Sequence, residues 1–381
     1  MIADPKKLDE KLKRLDESDF EEGTSLLEDS VRKFKKNKMA VFGCFMITFL
    51  FLLSLFAKLV TPYSYDEGKL ENQNFPPTWY KSFLPQELRS ELLDYGKQKK
   101  EEKKETEDDF FSDLGGSDGV SDRPSLKSSS LNFLAQMAND SISHLEKEHL
   151  ITYLEMPLSE HLLGTDELGQ DILSRLIYGM RLSLLLALTV TIVSVLIGIA
   201  YGSISGYYGG LVDQIMMRFV DFLFGVPFIF LVILLMVFFG RHVFLIFVGL
   251  GLIYWIVLAR IVRGQILSLK EKEFVMAAIS NGVSERKIIF KHLVPNVLGP
   301  TIVFSTLLVP QIMLLEAFLS FIGLGISPPD VSLGIMINDG ASVLTSFSWP
   351  IIFPGFIFSL MIFCMNFIGD GLRDALDPRI S

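Results

Sequence analysis

Six stretches of this chain are long and apolar enough to leave water altogether: 39–60, 182–201, 222–240, 243–259, 302–322 and 349–368. A bilayer core is about 30 Å thick and takes roughly 20 apolar residues in a helix to cross. Inside it every backbone polar group must be paired within the protein, which leaves helices or closed barrels as the spanning structures. The runs predict an all-α membrane protein with six transmembrane helices. A soluble protein has no reason for so many long runs without charge. Composition agrees, since 50% of the 381 residues are hydrophobic and 21% charged, against about 25% charged in ordinary domains. The fourth run is the shortest and is bounded by Arg241, His242 and Arg260.

Basic residues near the span ends set the orientation. Arg32, Lys33, Lys35, Lys36 and Lys38 precede the first span, which places the N-terminus in the cytoplasm. The loop after the fourth span carries Arg260, Arg263, Lys270, Lys272, Arg286, Lys287 and Lys291, whereas 323–348 holds no Lys or Arg. Alternation then puts both termini and the basic loop inside. Arg175 and Arg181 argue mildly the other way, but they flank a long loop, where the rule is weak. The first span follows 38 residues and is itself 22 residues long. A signal peptide has a shorter apolar stretch and a small-residue cleavage site, so an uncleaved anchor is expected.

This divides the chain into a tail (1–38), a first anchor (39–60), a long extracytoplasmic loop (61–181) and a membrane core (182–381) with a cytoplasmic loop at 260–300. Residues 61–160 hold 11 basic and 20 acidic side chains, which accounts for the whole net charge of −9. The rest of the chain is balanced, so a basic nucleic-acid-binding body is excluded. The middle of the insert, 97–130, is densely charged and then rich in Gly, Ser and Asp, and is expected to be disordered; the insert as a whole reads as a solvated spacer, with a partner-binding appendage as the alternative. Apolar residues at helical spacing predict a short helix within 131–155.

Chemistry is sparse. No GxxxxGK[ST] loop exists, because Gly68-Lys69 and Gly96-Lys97 lack the spacing and the hydroxyl, so the chain binds no ATP through a P-loop of its own. His144 and His149 stand five apart rather than at the i, i+4 spacing of a helical zinc pair, and the other histidines are scattered. Cys44 and Cys364 both lie in apolar runs, so neither a disulfide framework nor a thiolate cluster is expected. No nucleophile–base pairing is visible. Catalysis, cofactor and metal are all unsupported.

Gly198, Gly202 and Gly206 stand four apart and let two helix backbones approach closely. Packing within the chain and a subunit interface explain them equally. Pro227, Pro310, Pro350 and Pro354 lie in or beside spans and invite kinks. Glu316 is the one acidic residue well inside a span, and a carboxylate there implies a function or a specific partner, with a structural hydrogen bond as the plainer alternative.

The cytoplasmic loop carries the most information. Phe274 to Ser280 reads as a short helix, Gly282 breaks it, and Ser284 is placed to cap a second helix running to His292. Pro295 is expected to end that helix before the fifth span. Ala277 and Ala278 are expected on show.

This loop resembles the EAA motif of permease subunits in ABC importers, written E-A-A-x3-G-x9-I-x-L-P. Ala277, Ala278, Gly282 and Pro295 match it; Met276 stands where the motif has Glu, Val294 where it has Leu and His292 where it has Ile. Four further stretches, 161–184, 206–227, 316–329 and 369–379, are similar to the oligopeptide/dipeptide (OppC/DppC-like) branch, with Gln170 where Arg is usual. The resemblance covers 32–60 loosely and 161–381 closely; the insert at about 65–158 exceeds the usual length. It implies a type I (MetI-like) permease core in the bacterial inner membrane. The implied ATPase-coupling residues are Phe274, Met276, Ala277, Ala278, Gly282, Ser284, Glu285, Arg286, His292 and Pro295. Glu316, Asp166 and Arg181 are candidates for the translocation path or gate. Implied partners are an OppB/DppB-like second permease in a heterodimer, two ABC ATPases that bind the ATP, an extracytoplasmic peptide-binding protein and membrane lipid. Peptides are the implied cargo, with a nickel chelate, glutathione or a peptide antibiotic as alternatives served by similar permeases. An ion-coupled secondary transporter would need more ionisable groups at depth than Glu316, and a membrane-anchored sensor would work through the insert.

Overall fold

The computed structural model describes residues 26–83, 90, 153–157, 160–240 and 242–376. The tail before residue 26, the spacer 97–130, His144, His149 and most of the helix expected in 131–155 lie outside the described residues; 153–155 are helical. Among the described residues there is no β-strand, only two isolated bridges, Gly68 to Gln170 and Thr165 to Asp171.

The charged tail ends in α1 (Leu26–Lys36) and turns into the first span, α2 (Lys38–Leu55). Asn37 makes that turn, its side-chain oxygen accepting from the N–H groups of Met39 and Ala40 at 3.2 Å, as a preferred N-cap residue does. The second span is α3 (Ile172–Tyr208), 37 residues long. At 1.5 Å per residue it measures about 55 Å, well beyond the apolar window at 182–201. Asp171 caps its start by accepting from Ser174 N–H at 2.8 Å, and Gly209, at φ +65°, stops it.

The third span differs from expectation. It is not one helix over 222–240 but a pair, α4 (Gly210–Gly225) and α5 (Phe228–Phe239), bent by 78°. The residue before a proline is driven out of the helical region, and Val226 accordingly sits at φ −78°, ψ 122°. The fourth span, α6 (Val243–Lys270), leads into the loop helix α7 (Glu273–Ser280).

Pro295 does not end the next helix. A turn at Glu285–Lys287 passes through a π segment, Ile288–Leu293, straight into α8 (Val294–Leu319). The π pairing shifts the ladder by one residue, and Pro295 then falls in the first turn of the α segment, where a missing N–H is tolerated. Pro310 and Pro354 likewise lie inside helices that continue past them. A second π segment, Ser320–Leu324, turns at Gly323 (φ +78°) into the short α9 (Leu333–Ser342) and then the last span, α10 (Trp349–Leu376). Five helices are long and apolar enough to cross a membrane, and the bent pair makes a sixth crossing when read as one span.

The most extensive pairing is α3 with α6, and the glycines explain it. A Cβ on Gly202 would stand 2.5 Å from the carbonyl oxygen of Ala259, and one on Gly198 2.6 Å from Cβ of Leu258. Their spacing therefore serves packing inside the chain. Lipid is as apolar as leucine, so close backbone contact holds membrane helices together rather than hydrophobic burial. Around this pair the core collects Leu186 and Ala187 of α3, Leu250 and Leu258 of α6, Ile312 and Met313 of α8, and Met361 and Cys364 of α10.

Candidate functional site

At one end of the bundle, here the loop end, α7 closes with two bonds. Val283 N–H donates to the carbonyl of Ala278 at 3.1 Å, and Gly282 N–H to that of Ile279 at 2.9 Å. This pair defines a Schellman motif with glycine at the left-handed position, and Gly282 has φ +69°. The Ala-Ala-x3-Gly spacing thus writes a helix and its stop. Ser284 occupies the next N-cap position without a side-chain cap bond, contrary to expectation; its carbonyl accepts from Ile288 N–H at 3.0 Å instead.

The two alanines part company. Ala278 is buried with Val275 against Val262 and Ile266 of α6, Ile288, Ile289 and Leu293 of the π turn, Val297 of α8 and Tyr207 of α3. Ala277 is exposed, together with Phe274, Met276 and Ile279. The loop therefore stands on the ends of three spans and turns an apolar face outward. Glu285 and Arg286 are exposed and His292 half-buried. Glu285 accepts from the Tyr208 hydroxyl at 3.1 Å, and the His292 carbonyl accepts from Asn296 Nδ2 at 2.6 Å.

At the opposite, cap end, the chain on the two sides of the insert is tied together. Phe75 N–H donates to Thr165 Oγ1 and Thr165 N–H to Phe75 O, both at 2.8 Å. Thr165 Oγ1 donates to the Asn72 carbonyl, and Trp349 Nε1 to the Thr165 carbonyl at 3.1 Å. Tyr153 donates to the Pro77 carbonyl at 2.9 Å and Lys81 to that of Met156 at 2.7 Å. Burial pushes the Tyr153 phenol pKa up. His161 Nδ1 lies 3.0 Å from Asp171 Oδ1.

Asp166 organises the turn before α3. Its Oδ1 accepts from the N–H groups of Leu168 and Gln170, each at 2.9 Å, and its Oδ2 from Arg175. Arg175 also reaches Asp339 of α9 at 3.6 Å; burial raises the Asp339 carboxyl pKa, while Arg175 opposes the shift. These groups wall a cavity of about 660 Å³ between this turn and the segment 320–343, with Asp66, Glu167 and Asp330 also lining it. Arg181 is exposed and makes none of these contacts.

Glu316, 1% exposed, is a hub. Its carboxylate accepts from the hydroxyls of Ser332 at 2.7 Å, Ser320 at 3.2 Å and Ser183 at 3.3 Å. Ser332 caps α9 by accepting from Ile335 N–H at 3.2 Å, and Ser183 accepts from Leu333 N–H at 3.2 Å. One carboxylate thereby seats the start of α9 on both α3 and α8. A buried glutamate announces a need for donors, and Ser320 one turn on is a local candidate; that Ser183 and Ser332, from distant segments, supply the other two had no local signal. The same holds for Arg175 and for Asp213, which accepts from Ser205 and twice from Arg263, each at 2.5 Å.

The family model described as "Binding-protein-dependent transport system inner membrane component" matches residues 198–381, and that described as "N-terminal TM domain of oligopeptide transport permease C" matches 25–77. The oligopeptide transport system permease protein OppC of Haemophilus influenzae is 54% identical over 219 residues, 58% of this chain and 70% of the relative. The dipeptide transport system permease protein DppC of Bacillus subtilis is 34% identical over 357 residues, 93% of this chain and 87% of the relative. OppC of Escherichia coli is 47% identical over 221 residues, 58% of this chain and 73% of the relative. With its helical membrane bundle, its punctuated loop and these matches at both ends of the chain, the protein belongs to the oligopeptide/dipeptide branch of the ABC importer permeases, a family of multi-pass inner-membrane transport components.

Proposed function

We propose that this chain is one of two permease subunits of an ATP-driven importer of peptides, with the loop end in the cytoplasm and the cap end facing the binding protein. The observation that carries this is the Schellman-closed α7, packed on the ends of α3, α6 and α8 while Phe274, Met276, Ala277 and Ile279 face outward. A small, rigid, apolar knob fits a cleft in an ATPase, and its rigid footing conveys any motion of that cleft to the spans. Two ATPases bind and hydrolyse the ATP. The second permease completes the path, and a loaded binding protein docks outside. ATP shifts the balance between outward-open and inward-open states only as far as its affinity for the two differs. The branch's relatives named for oligopeptide and dipeptide transport support peptides as cargo. At the cap end, Glu316 and Asp166 hold α9 and the turn before α3 in place, as an outer gate requires.

The test is Ala277→Asp. A charge on the exposed face, away from the buried contacts of Ala278, is expected to leave protein level and membrane insertion unchanged. It should abolish co-purification of the ATPases or their stimulation by loaded binding protein. Full peptide uptake by this variant in reconstituted vesicles would make the loop an ordinary surface linker.

A further inference from the structure

Two glycines interrupt the chain between α3 and α4. Gly209 and Gly210 have φ +65° and +52°, and a Cβ on either would meet nothing within 4 Å. Crowding does not demand them there; backbone freedom does. At its other end α4 meets the 78° break before α5. A sixteen-residue helix thus lies between two breaks in the helical path, and its position depends on side contacts.

Those contacts are directed: the Tyr201 hydroxyl of α3 donates to the Met216 carbonyl of α4 at 2.8 Å, and Arg260 of α6 lies over the Phe224 ring at 4.5 Å. Asp213, in the first turn of α4 and 8% exposed, receives both arms of the Arg263 fork at 2.5 Å and the Ser205 hydroxyl at 2.5 Å. One carboxylate joins α4 to α3 and α6 at once. Such bidentate charge-assisted pairs are the strong and geometrically specific ones. Arg263 itself lies at the tightest stretch of the α3–α6 contact, where a Cβ on Gly202 would be 3.0 Å from its backbone nitrogen. Two turns on, Asp221 accepts from Arg260 at 2.8 Å, but both side chains are more than a third exposed, and exposed pairs contribute little. Val220 packs on Trp255, Ile256 and Ala259 between them. On the other side of the glycines, Tyr208 donates to Glu285 of the loop at 3.1 Å, and Lys270 Nζ donates to the Tyr207 carbonyl at 2.5 Å.

We propose that the Asp213–Arg263 pair is the positioning contact that makes α4, and through it the bent third span, move with the α3–α6 pair and the loop beneath it. The proposal rests on the importer reading and deepens it. Without the pair the glycine joint lets α4 lag, and a stroke delivered at α7 reaches α3, α6 and α8 but not the third span.

The experiment uses the assembled importer with its ATPases, second permease and binding protein in proteoliposomes, with radiolabelled trialanine as the probe. The readout is trialanine imported per ATP hydrolysed. Coupling between sites is commonly worth roughly 5–150-fold; we expect Asp213→Asn to lower the ratio about tenfold while the ATPases still co-purify. Asp221→Asn should change it less than twofold. Arg263→Lys keeps the charge but loses the fork, and should fall between them. An unchanged ratio in Asp213→Asn overturns the proposal. If that variant does not assemble, Arg263→Lys decides, an unchanged ratio overturning and a reduced ratio supporting it. A wild-type assembly that neither imports trialanine nor hydrolyses ATP overturns the importer reading and this one with it. A wild type that does both beside an equally coupled Asp213→Asn removes only the pair.

Discussion

At Gly282 a single backbone angle decides whether the loop closes. A residue with a Cβ in the left-handed region costs about 1–2 kcal/mol, and asparagine bears this better than a β-branched side chain. Gly282→Asn is therefore expected to keep most ATP-driven uptake, and Gly282→Val to lose it at normal protein level; equal uptake by both would show that φ +69° has no bearing on coupling. Glu316 is the second residue whose chemistry is exposed to test. Glu316→Gln keeps an acceptor for the serine hydroxyls, whereas Glu316→Leu leaves up to three of them unpaired, at about 1–3 kcal/mol for each buried group left unsatisfied. Thermal unfolding in detergent should place Glu316→Gln near the parent and Glu316→Leu clearly below it. A leucine variant as stable as the parent would mean that the hub does not hold α9.

Among the elements, the α3–α6 pair has the least room to change. A side chain at Gly202 would meet backbone at 2.5 Å, and backbone has nowhere to retreat without separating the helices. Overpacking of this kind costs typically about 1–3 kcal/mol. Gly202→Val is expected to lower the melting temperature of the purified chain and, by moving the footing of α7, to weaken ATPase co-purification as well. An unshifted melting temperature would contradict the packing. Gly209 and Gly210 carry the same residue type for the opposite reason, since space around them is open. Substitution there meets no neighbour, but it forces a side chain into a positive-φ conformation, so its expected cost lies in the backbone rather than in packing.

For the molecule as a whole, the direction of transport depends on which end faces which compartment. The proposed orientation, with the loop end in the cytoplasm, rests on seven basic residues that flank or lie in the α7 loop against none in 323–348. Ser342 and Ser284 are both exposed and sit at opposite ends of the bundle. A cysteine at Ser342 is expected to react with an impermeant maleimide in intact spheroplasts, and one at Ser284 only after permeabilisation. The reverse pattern would remove both the topology and the ATPase-docking role.

Much of this protein is legible without coordinates, and the reason is the bilayer. Crossing it demands long apolar helices whatever surrounds them, so the runs themselves report five spans and the approximate place of the sixth. Local backbone chemistry is legible too. Ala278, Ile279, Gly282 and Val283 write the Schellman stop within six residues, and Pro227 marks the break in the third span. What needed the tertiary structure is every property set by neighbours distant in the chain. Ala277 and Ala278 look alike in sequence, and only the packing of α7 on α6 and α8 buries one and exposes the other. Pro295 reads as a stop until a π turn shifts the ladder ahead of it. Glu316 with Ser183 and Ser332, and Asp213 with Arg263, are partnerships across 133, 16 and 50 residues. A polar group inside a membrane must find a partner, but which one it finds depends on where the helices cross.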